Sequence, residues 1–177
     1  MINQELWDKA VAFHGHACSG LTLGYRAALY AAKLLDTGRA DDEEIVCITE
    51  NDACGLDAIQ IILGCSVGKG NLLFHLTGKQ AYTFYRRSDG KGFRLVQKKK
   101  PVHLSKAERY DYYHSCADEE LFEVQQPVIA LPEPARNFTS VTCARCGEAT
   151  AENYIHVQEG RLLCPDCAGK PYSRFDV

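Results

Sequence analysis

The amino-acid sequence predicts an α+β fold: a mixed α/β core domain, with a small β-sheet and packed helices, followed by a small C-terminal finger of the zinc-ribbon or treble-clef type. Three observations support this prediction. An alanine- and leucine-rich helical pattern begins near residue 21, apolar strand-like segments lie between residues 44 and 97, and two CxxC pairs lie near the C-terminus. With 177 residues, 46% of them hydrophobic, the chain can form one core of ordinary size and a small appendage.

The first elements are predicted to be two helices. Apolar residues repeat with helical spacing over residues 3–13 and again over residues 21–35. Ser19 is expected to cap the second helix and Gly38 to end it. Because the second helix carries small residues such as Gly24 on one face, we expect another element to approach it closely.

The middle of the chain predicts the sheet. Residues 44–50 are typical of a largely buried strand, residues 57–63 of a helix, and residues 72–76 of a further strand. Residues 80–87 and 93–97 alternate in polarity around a Ser-Asp-Gly-Lys-Gly turn, which predicts a hairpin.

Two helical segments are predicted before the chain leaves the core domain. Ser105 and Glu108 have the spacing of a capping box, which indicates a helix start, and a second helical segment is expected over residues 118–126. A proline-rich, extended connector follows. We therefore expect the core domain to occupy residues 1–137 and the finger to occupy residues 138–177.

The loop between the first two helices places three potential metal ligands, His14, His16 and Cys18, within five residues. Neutral imidazole and thiolate are ligands that zinc and its first-row neighbours prefer. Gly15 permits backbone angles that let both histidines face one point, and Cys18 directly precedes a helix N-terminus, which stabilises a thiolate. The plainer interpretation is a turn whose histidines are solvated or hydrogen-bonded. The clustering favours a metal or catalytic site.

Other cysteines of the core domain are weaker candidates for this site. Cys54 follows the buried strand and is best placed to join the loop at residues 14–18, since α/β folds position their sites at strand ends. Cys65 lies beyond the far end of a helix ~13 Å long, so it is not expected to share an ion with Cys54. Cys47 is expected to pack in the core, whereas Cys116 is left open between a functional and a structural role.

Three carboxylates follow the same buried strand. Glu50, Asp52 and Asp57 could each supply a metal ligand or a general base near the loop. For any one of them alone, a solvated loop acid or a charge at a helix start is the more typical explanation.

The C-terminal motif consists of Cys143, Cys146, Cys164 and Cys167, with seventeen residues between the two CxxC pairs. Each pair directs two thiolates towards one point, so the four complete a tetrahedral site that is closed to other ligands. A segment of about 40 residues cannot bury enough surface to fold alone, and a structural zinc ion would supply the missing free energy. A rubredoxin-like iron site is the nearest alternative.

Charge and composition argue against several functions. The formal net charge of -3 and the pI of about 6.1 disfavour nucleic-acid binding, and the finger carries acidic as well as basic residues. Residues 64–70 lack the order of a phosphate-binding Walker loop, although Lys69 leaves an anion site open. We expect no membrane association and a cytoplasmic protein, because we find neither a leader pattern nor the ~20 apolar residues of a membrane span.

Three of these motifs, in this order, resemble the FmdE family of proteins, which is associated with molybdenum/tungsten formylmethanofuran dehydrogenase. The matching stretches are residues 13–24, residues 54–60 and residues 64–72, and Ser19 stands where the family usually has proline. The resemblance covers roughly residues 10–130. It implies an α+β core, a homodimer and a metal-binding pocket lined by the histidines and cysteines named above.

Two functions fit these observations. The first is a metal-binding accessory or regulatory protein of anaerobic metabolism, which the resemblance makes a candidate partner of a molybdenum/tungsten enzyme. It would hold a structural zinc ion in the finger and a second transition metal (zinc, nickel or iron) or a small ligand in the core. The alternative is a metal-dependent enzyme that uses an open coordination position at the loop of residues 14–18 for hydrolytic or redox chemistry on a small molecule, with Glu50 or Asp52 as the base.

Overall fold

A computed structural model describes residues 3–99 and 104–169, which fall into two compact units divided between residues 134 and 135. The first unit combines helices with a mixed sheet, as the α+β prediction requires. Its helices within the described residues are α1 (Gln4–His14), α2 (Ser19–Leu35), α3 (Gly55–Leu63), α4 (Lys106–Ser115) and α5 (Asp118–Leu121). Its strands there are β1 (Ile45–Thr49), β2 (Leu72–Phe74), β3 (Ala81–Arg86), β4 (Gly92–Gln97) and β5 (Phe122–Gln125).

The sheet has the strand order β2-β1-β3-β4-β5. Strands β1 and β2 are parallel and are joined through α3, whereas the remaining neighbours are antiparallel. All five residues of β1 are buried, because helices cover one face of the sheet while Ile129 and Leu131 pack on the other face against Val46 and Ile48. Burial on both faces explains why this strand is a continuous apolar run in the sequence.

Helices α2 and α3 cross at unusually short range. A Cβ atom built on Gly24 would lie 2.1 Å from the backbone oxygen of Gly55, so neither helix could approach this closely with a side chain at that position. The close approach expected from the small residues of α2 is therefore confirmed. It sets the N-terminus of α3 beside the N-terminal half of α2.

Three details of the predicted elements are wrong. Cys18, and not Ser19, is the N-cap of α2, since its Sγ accepts a hydrogen bond from the Leu21 N–H at 3.3 Å. The helix ends at Leu35, because its C-cap Asp36 adopts the left-handed conformation before Gly38 is reached. The predicted helix over residues 118–126 is a single turn, because the chain then extends as β5 and pairs with the otherwise open edge of β4.

The other predictions for the first unit agree with the structure within a few residues at each end. The hairpin is formed by β3 and β4, and α4 begins with the capping box in which Ser105 and Glu108 bond each other's backbone N–H groups. The second strand is shorter than expected and ends at Phe74.

The second unit consists of two short hairpins with a 3-10 turn, Glu152–Tyr154, between them. The first hairpin pairs β6 (Ser140–Thr142) with β7 (Ala149–Ala151), and the second pairs β8 (His156–Gln158) with β9 (Arg161–Leu163). Its buried core is small and is formed by Cys143, Leu163 and Cys164. Residues 165–169 form turns.

Candidate metal centres

The four cysteines of the second unit form one cluster. All four sulfur atoms of Cys143, Cys146, Cys164 and Cys167 lie within 4.8 Å of one another, and those of Cys146 and Cys164 are 3.9 Å apart. Sulfur atoms bound to a tetrahedral zinc ion at a bond length of about 2.3 Å would be roughly 3.8 Å apart. The donor set and its spacing therefore fit a structural zinc ion.

Backbone hydrogen bonds prepare this cluster for a metal. The N–H groups of Cys146, Cys164 and Arg145 surround the Cys143 sulfur and lower its pKa to about 6, and the Cys164 N–H lies 3.4 Å from it. In contrast, the side chain of Cys164, burial and the other two sulfurs raise the pKa of Cys167 to about 12. The Cys143 thiolate thus forms readily, and a bound cation would be needed to deprotonate Cys167 near neutral pH.

The loop between α1 and α2 brings His14, His16 and Cys18 together. One ligand atom from each lies within 4.8 Å of the others, and the two imidazole centroids are 4.6 Å apart. His14 is the last residue of α1, Cys18 caps α2, and Gly15 turns the chain between them with φ of 92°. The left-handed conformation of this glycine lets both histidines lie on the same side of the loop, as the sequence suggested.

Asp57 orients the first histidine of this cluster. The Nδ1–H of His14 donates to Asp57 Oδ2 at 2.7 Å, and His14 Nε2 lies 3.8 Å from Cys18 Sγ. Asp57 belongs to the first turn of α3, 43 residues further along the chain. A carboxylate on one imidazole nitrogen fixes the tautomer that leaves the other nitrogen free to bind a metal. Sequence reasoning considered Asp57 as a ligand or a base and did not foresee this partner.

Cys54 lies next to the cluster without being one of its three members. It is the N-cap of α3, and a Cβ atom built on Gly20 would lie 3.6 Å from its sulfur and 3.8 Å from that of Cys18. Burial, and then the neighbouring Cys18, raise the pKa of the Cys54 thiol. The structure therefore places Cys54 beside Cys18.

The remaining sequence candidates in the core have structural partners. Cys65 is fully buried, its thiol donates to the carbonyl of Ile45 at 3.6 Å, and burial raises its pKa to about 12. It belongs to neither cysteine cluster of the described residues. Cys47 is likewise buried in strand β1, and burial raises its pKa. The backbone carbonyl of Cys116 accepts a hydrogen bond from Arg26.

Two charged candidates, Glu50 and Lys69, form hydrogen bonds that stabilise the fold. Glu50 forms two hydrogen bonds with Arg94, at 2.5 and 3.0 Å, and accepts a third from Thr77. The Arg94 bonds lower the pKa of Glu50 and hold it as a buried counter-ion, which leaves it poorly suited as a general base. Lys69 Nζ donates to the carbonyls of residues 40, 41 and 42, so its ammonium group serves that turn and not an anion site.

A cavity of about 460 Å³ adjoins the core cluster at Cys18. It lies between the start of α2 and helix α4, and its lining residues are Ala17, Cys18, Ser19, Ala107, Tyr110 and Asp111. The last three are about ninety residues from the loop in sequence. No local pattern connects the two segments, and for this reason sequence reasoning missed the cavity.

The fold and these clusters define the class of protein: an α+β core with a His/Cys cluster on its surface, combined with a four-cysteine zinc finger. The chain belongs to the FmdE family, whose model, "FmdE, Molybdenum formylmethanofuran dehydrogenase operon", matches residues 13–130. A second model, the prokaryotic dksA/traR C4-type zinc finger, matches residues 136–172. The family resemblance seen in the sequence is therefore confirmed.

Two similar proteins extend this comparison. The crystal structure of a "tungsten formylmethanofuran dehydrogenase subunit e (fmde)-like protein" from Syntrophus aciditrophicus matches with a TM-score of 0.71 and 26% identity, over 96% of this chain and 94% of that one. A "Probable S-adenosyl-L-methionine-binding protein" of Archaeoglobus fulgidus is 29% identical over 93% of this chain. The chain spans about half, 53%, of the length of that archaeal relative.

Among the described residues, no helix combines the length and apolar character needed to cross a bilayer.

Proposed function

We propose that this protein is a metal-binding accessory protein whose core site holds a divalent transition metal through His14, His16 and Cys18. The observation that carries the proposal is the pairing of Asp57 with His14 at 2.7 Å, which directs His14 Nε2 towards the Cys18 sulfur. A solvated loop would not need a carboxylate to fix one imidazole beside a thiol. Cys54 is the candidate for a fourth protein ligand when no small molecule is bound, and a bound molecule would take that position.

The donor set indicates which metals fit. Two imidazoles and one or two thiolates suit zinc, nickel and iron(II), whereas magnesium and calcium prefer oxygen ligands. Cys18 caps a helix of 17 residues, so its sulfur lies at the positive end of the helix dipole. A bound ion would act as a Lewis acid towards any molecule that takes an open coordination position.

Binding or delivery of a metal or ligand is favoured over hydrolysis. The enzyme alternative requires a general base near the ion. Of its two candidates, Glu50 is held by Arg94 and Thr77, and Asp52 belongs to neither cluster of potential ligands among the described residues. Asp57 is occupied by His14. Cys18 belongs to both the metal cluster and the wall of the cavity, so a molecule in that cavity could reach the ion. An accessory protein that binds a metal together with a small molecule accounts for both features.

The proposal includes a partner role. Membership of the FmdE family, whose model is named for the molybdenum formylmethanofuran dehydrogenase operon, supports association with a molybdenum/tungsten enzyme. The setting that we propose is the cytoplasm of an anaerobic cell, and the working form that we propose is a homodimer. The finger would serve as a zinc-stabilised docking element. Multi-angle light scattering on the purified protein tests the dimer directly. S-adenosyl-L-methionine should be included among the ligands screened, because it appears in the name of the archaeal relative.

Cobalt substitution tests the core site. Protein loaded with one equivalent of zinc to fill the finger is titrated with Co²⁺, and a second equivalent should bind with a sulfur-to-cobalt charge-transfer band. The band should be weaker in Cys18→Ser, lost in Cys18→Ser/Cys54→Ser, and unchanged in Cys65→Ala, whose thiol is buried and donates to the Ile45 carbonyl. Absence of the band in the wild-type protein, or its survival in the Cys18→Ser/Cys54→Ser protein, would contradict the proposal.

A further inference from the structure

The cavity beside Cys18 has two chemically different walls. One wall is the start of α2, where Ala17, Cys18 and Ser19 lie at the positive end of a helix of 17 residues. The other wall belongs to α4 and consists of Ala107, Tyr110 and Asp111. The volume of about 460 Å³ is within the range of small-molecule sites.

The α4 wall favours a cation. Asp111 supplies a carboxylate, and no lysine, arginine or histidine belongs to the lining described for this cavity. An ammonium group beside Asp111 would gain a charge-assisted hydrogen bond, and the neighbouring tyrosine ring can add a cation–π contact.

The α2 wall favours the opposite charge. The helix N-terminus attracts an anionic group, and a metal held at Cys18 would offer an open position to a carboxylate. The two alanines and the ring of Tyr110 leave room between these poles for an apolar body. A molecule that satisfies both walls therefore carries one charge of each sign, separated by a short hydrocarbon chain.

We propose that the cavity between the start of α2 and α4 binds an amino carboxylate, with its ammonium group on Asp111 and its carboxylate at the metal position beside Cys18. This inference rests on the proposed metal site and adds the chemical class of its ligand. Asp111 would determine specificity, because it is the carboxylate of the α4 wall.

Calorimetry on the full-length, metal-loaded protein tests the inference. The probes are 4-aminobutyrate and 6-aminohexanoate, compared with butyrate and hexanoate, which lack the amine. We expect at least one amino carboxylate to bind about tenfold more tightly than its matched acid, since a charge-assisted hydrogen bond is involved. Asp111→Asn should abolish this preference, and Ala107→Leu, which fills the cavity, should weaken both probes. Asp8→Asn, the same change on the exposed face of α1, should leave the preference intact.

The possible results distinguish a wrong ligand class from a wrong metal site. If Co²⁺ binds as described above but the amino carboxylates and the plain acids bind equally, or if Asp111→Asn keeps the preference, the ligand class is wrong while the metal site stands. If Co²⁺ does not bind to the core, the proposed function fails. If the amino carboxylates keep their advantage over the plain acids on metal-free protein, the inference is also wrong, because the ligand's carboxylate would then not need the metal.

Discussion

Replacement of Asp57 by asparagine should weaken metal binding at the core site while leaving its stoichiometry unchanged. The carboxylate accepts the Nδ1–H of His14 at 2.7 Å, and its side chain is 34% exposed against 11% for His14. Loss of such a partner typically lowers metal affinity 10- to 100-fold, and water can replace a partly exposed carboxylate in part. We therefore expect the metal affinity of the core site to fall about 20-fold, which is equivalent to roughly 1.8 kcal/mol of binding free energy.

Competition with a chromophoric chelator measures this effect on protein whose finger already holds zinc. Asp57 also lies in the first turn of α3, where its negative charge interacts favourably with the helix dipole. Asparagine should therefore lower the free energy of unfolding of the apoprotein by about 0.3–1 kcal/mol. Urea unfolding of both apoproteins measures this contribution separately. Asp8→Asn is the matched control, because its carboxylate contacts Gln4 on the surface of α1. Unchanged affinity in Asp57→Asn would refute the orienting role of the carboxylate and weaken the case for a metal at His14.

Three further predictions concern the scaffold and the finger. Gly24→Ala should destabilise the core by about 1–3 kcal/mol in urea unfolding, because its Cβ would lie 2.1 Å from the Gly55 carbonyl oxygen and backbone atoms cannot move aside easily. Glu50→Gln should cost about 3 kcal/mol at pH 7 by leaving Arg94 without its buried counter-ion. Because Arg94 lowers the pKa of Glu50, this stabilisation is fully present above pH 4.5, the ordinary glutamate value, and the cost of the substitution should shrink as the pH falls through the lowered pKa. Chelation of the finger metal should abolish hydrogen-exchange protection across residues 135–169, which bury few apolar side chains.

Each of these predictions has a control within the chain. Gly38→Ala should have little effect on stability, since a Cβ atom at Gly38 meets nothing within 4 Å. Glu5→Gln removes an exposed ion pair with Lys9 and should change stability little at any pH. The close approach of α2 and α3 would be contradicted by a Gly24→Ala protein as stable as the wild type. The role of the Glu50–Arg94 pair would be contradicted if the cost of Glu50→Gln did not depend on pH. The metal dependence of the finger would be contradicted if its amides stayed protected after chelation.

The sequence predicts the parts of the two clusters that are local in the chain. The CxxC pairs predict a four-thiol cluster from spacing alone, and His14, His16 and Cys18 lie within five residues, so a single glycine turn is enough to bring them together. The length of the predicted helix also indicated that Cys54 and Cys65 lie too far apart to share an ion. Helix α3 has Cys54 as its N-cap and ends at Leu63, two residues before Cys65.

Contacts between distant segments were beyond prediction from one sequence. The His14–Asp57 pair spans 43 residues, and the α4 wall of the cavity is about ninety residues from Cys18, so both depend on how the helices pack. The same reason explains the error at residues 118–126. The local sequence favours a helix, but pairing with the edge of β4 draws residues 122–125 into the sheet.

Metal content per chain tests the central claim most directly. Protein purified anaerobically and analysed for its elements should contain two metal equivalents, one for the four-cysteine finger and one for the core cluster. The variant His16→Ala/Cys18→Ala should contain one equivalent, because it loses two of the three core ligands and keeps the finger intact. Two equivalents in this variant would contradict the assignment of the core ligands, and a single equivalent in the wild type would reduce the core cluster to a thiol pocket without a metal.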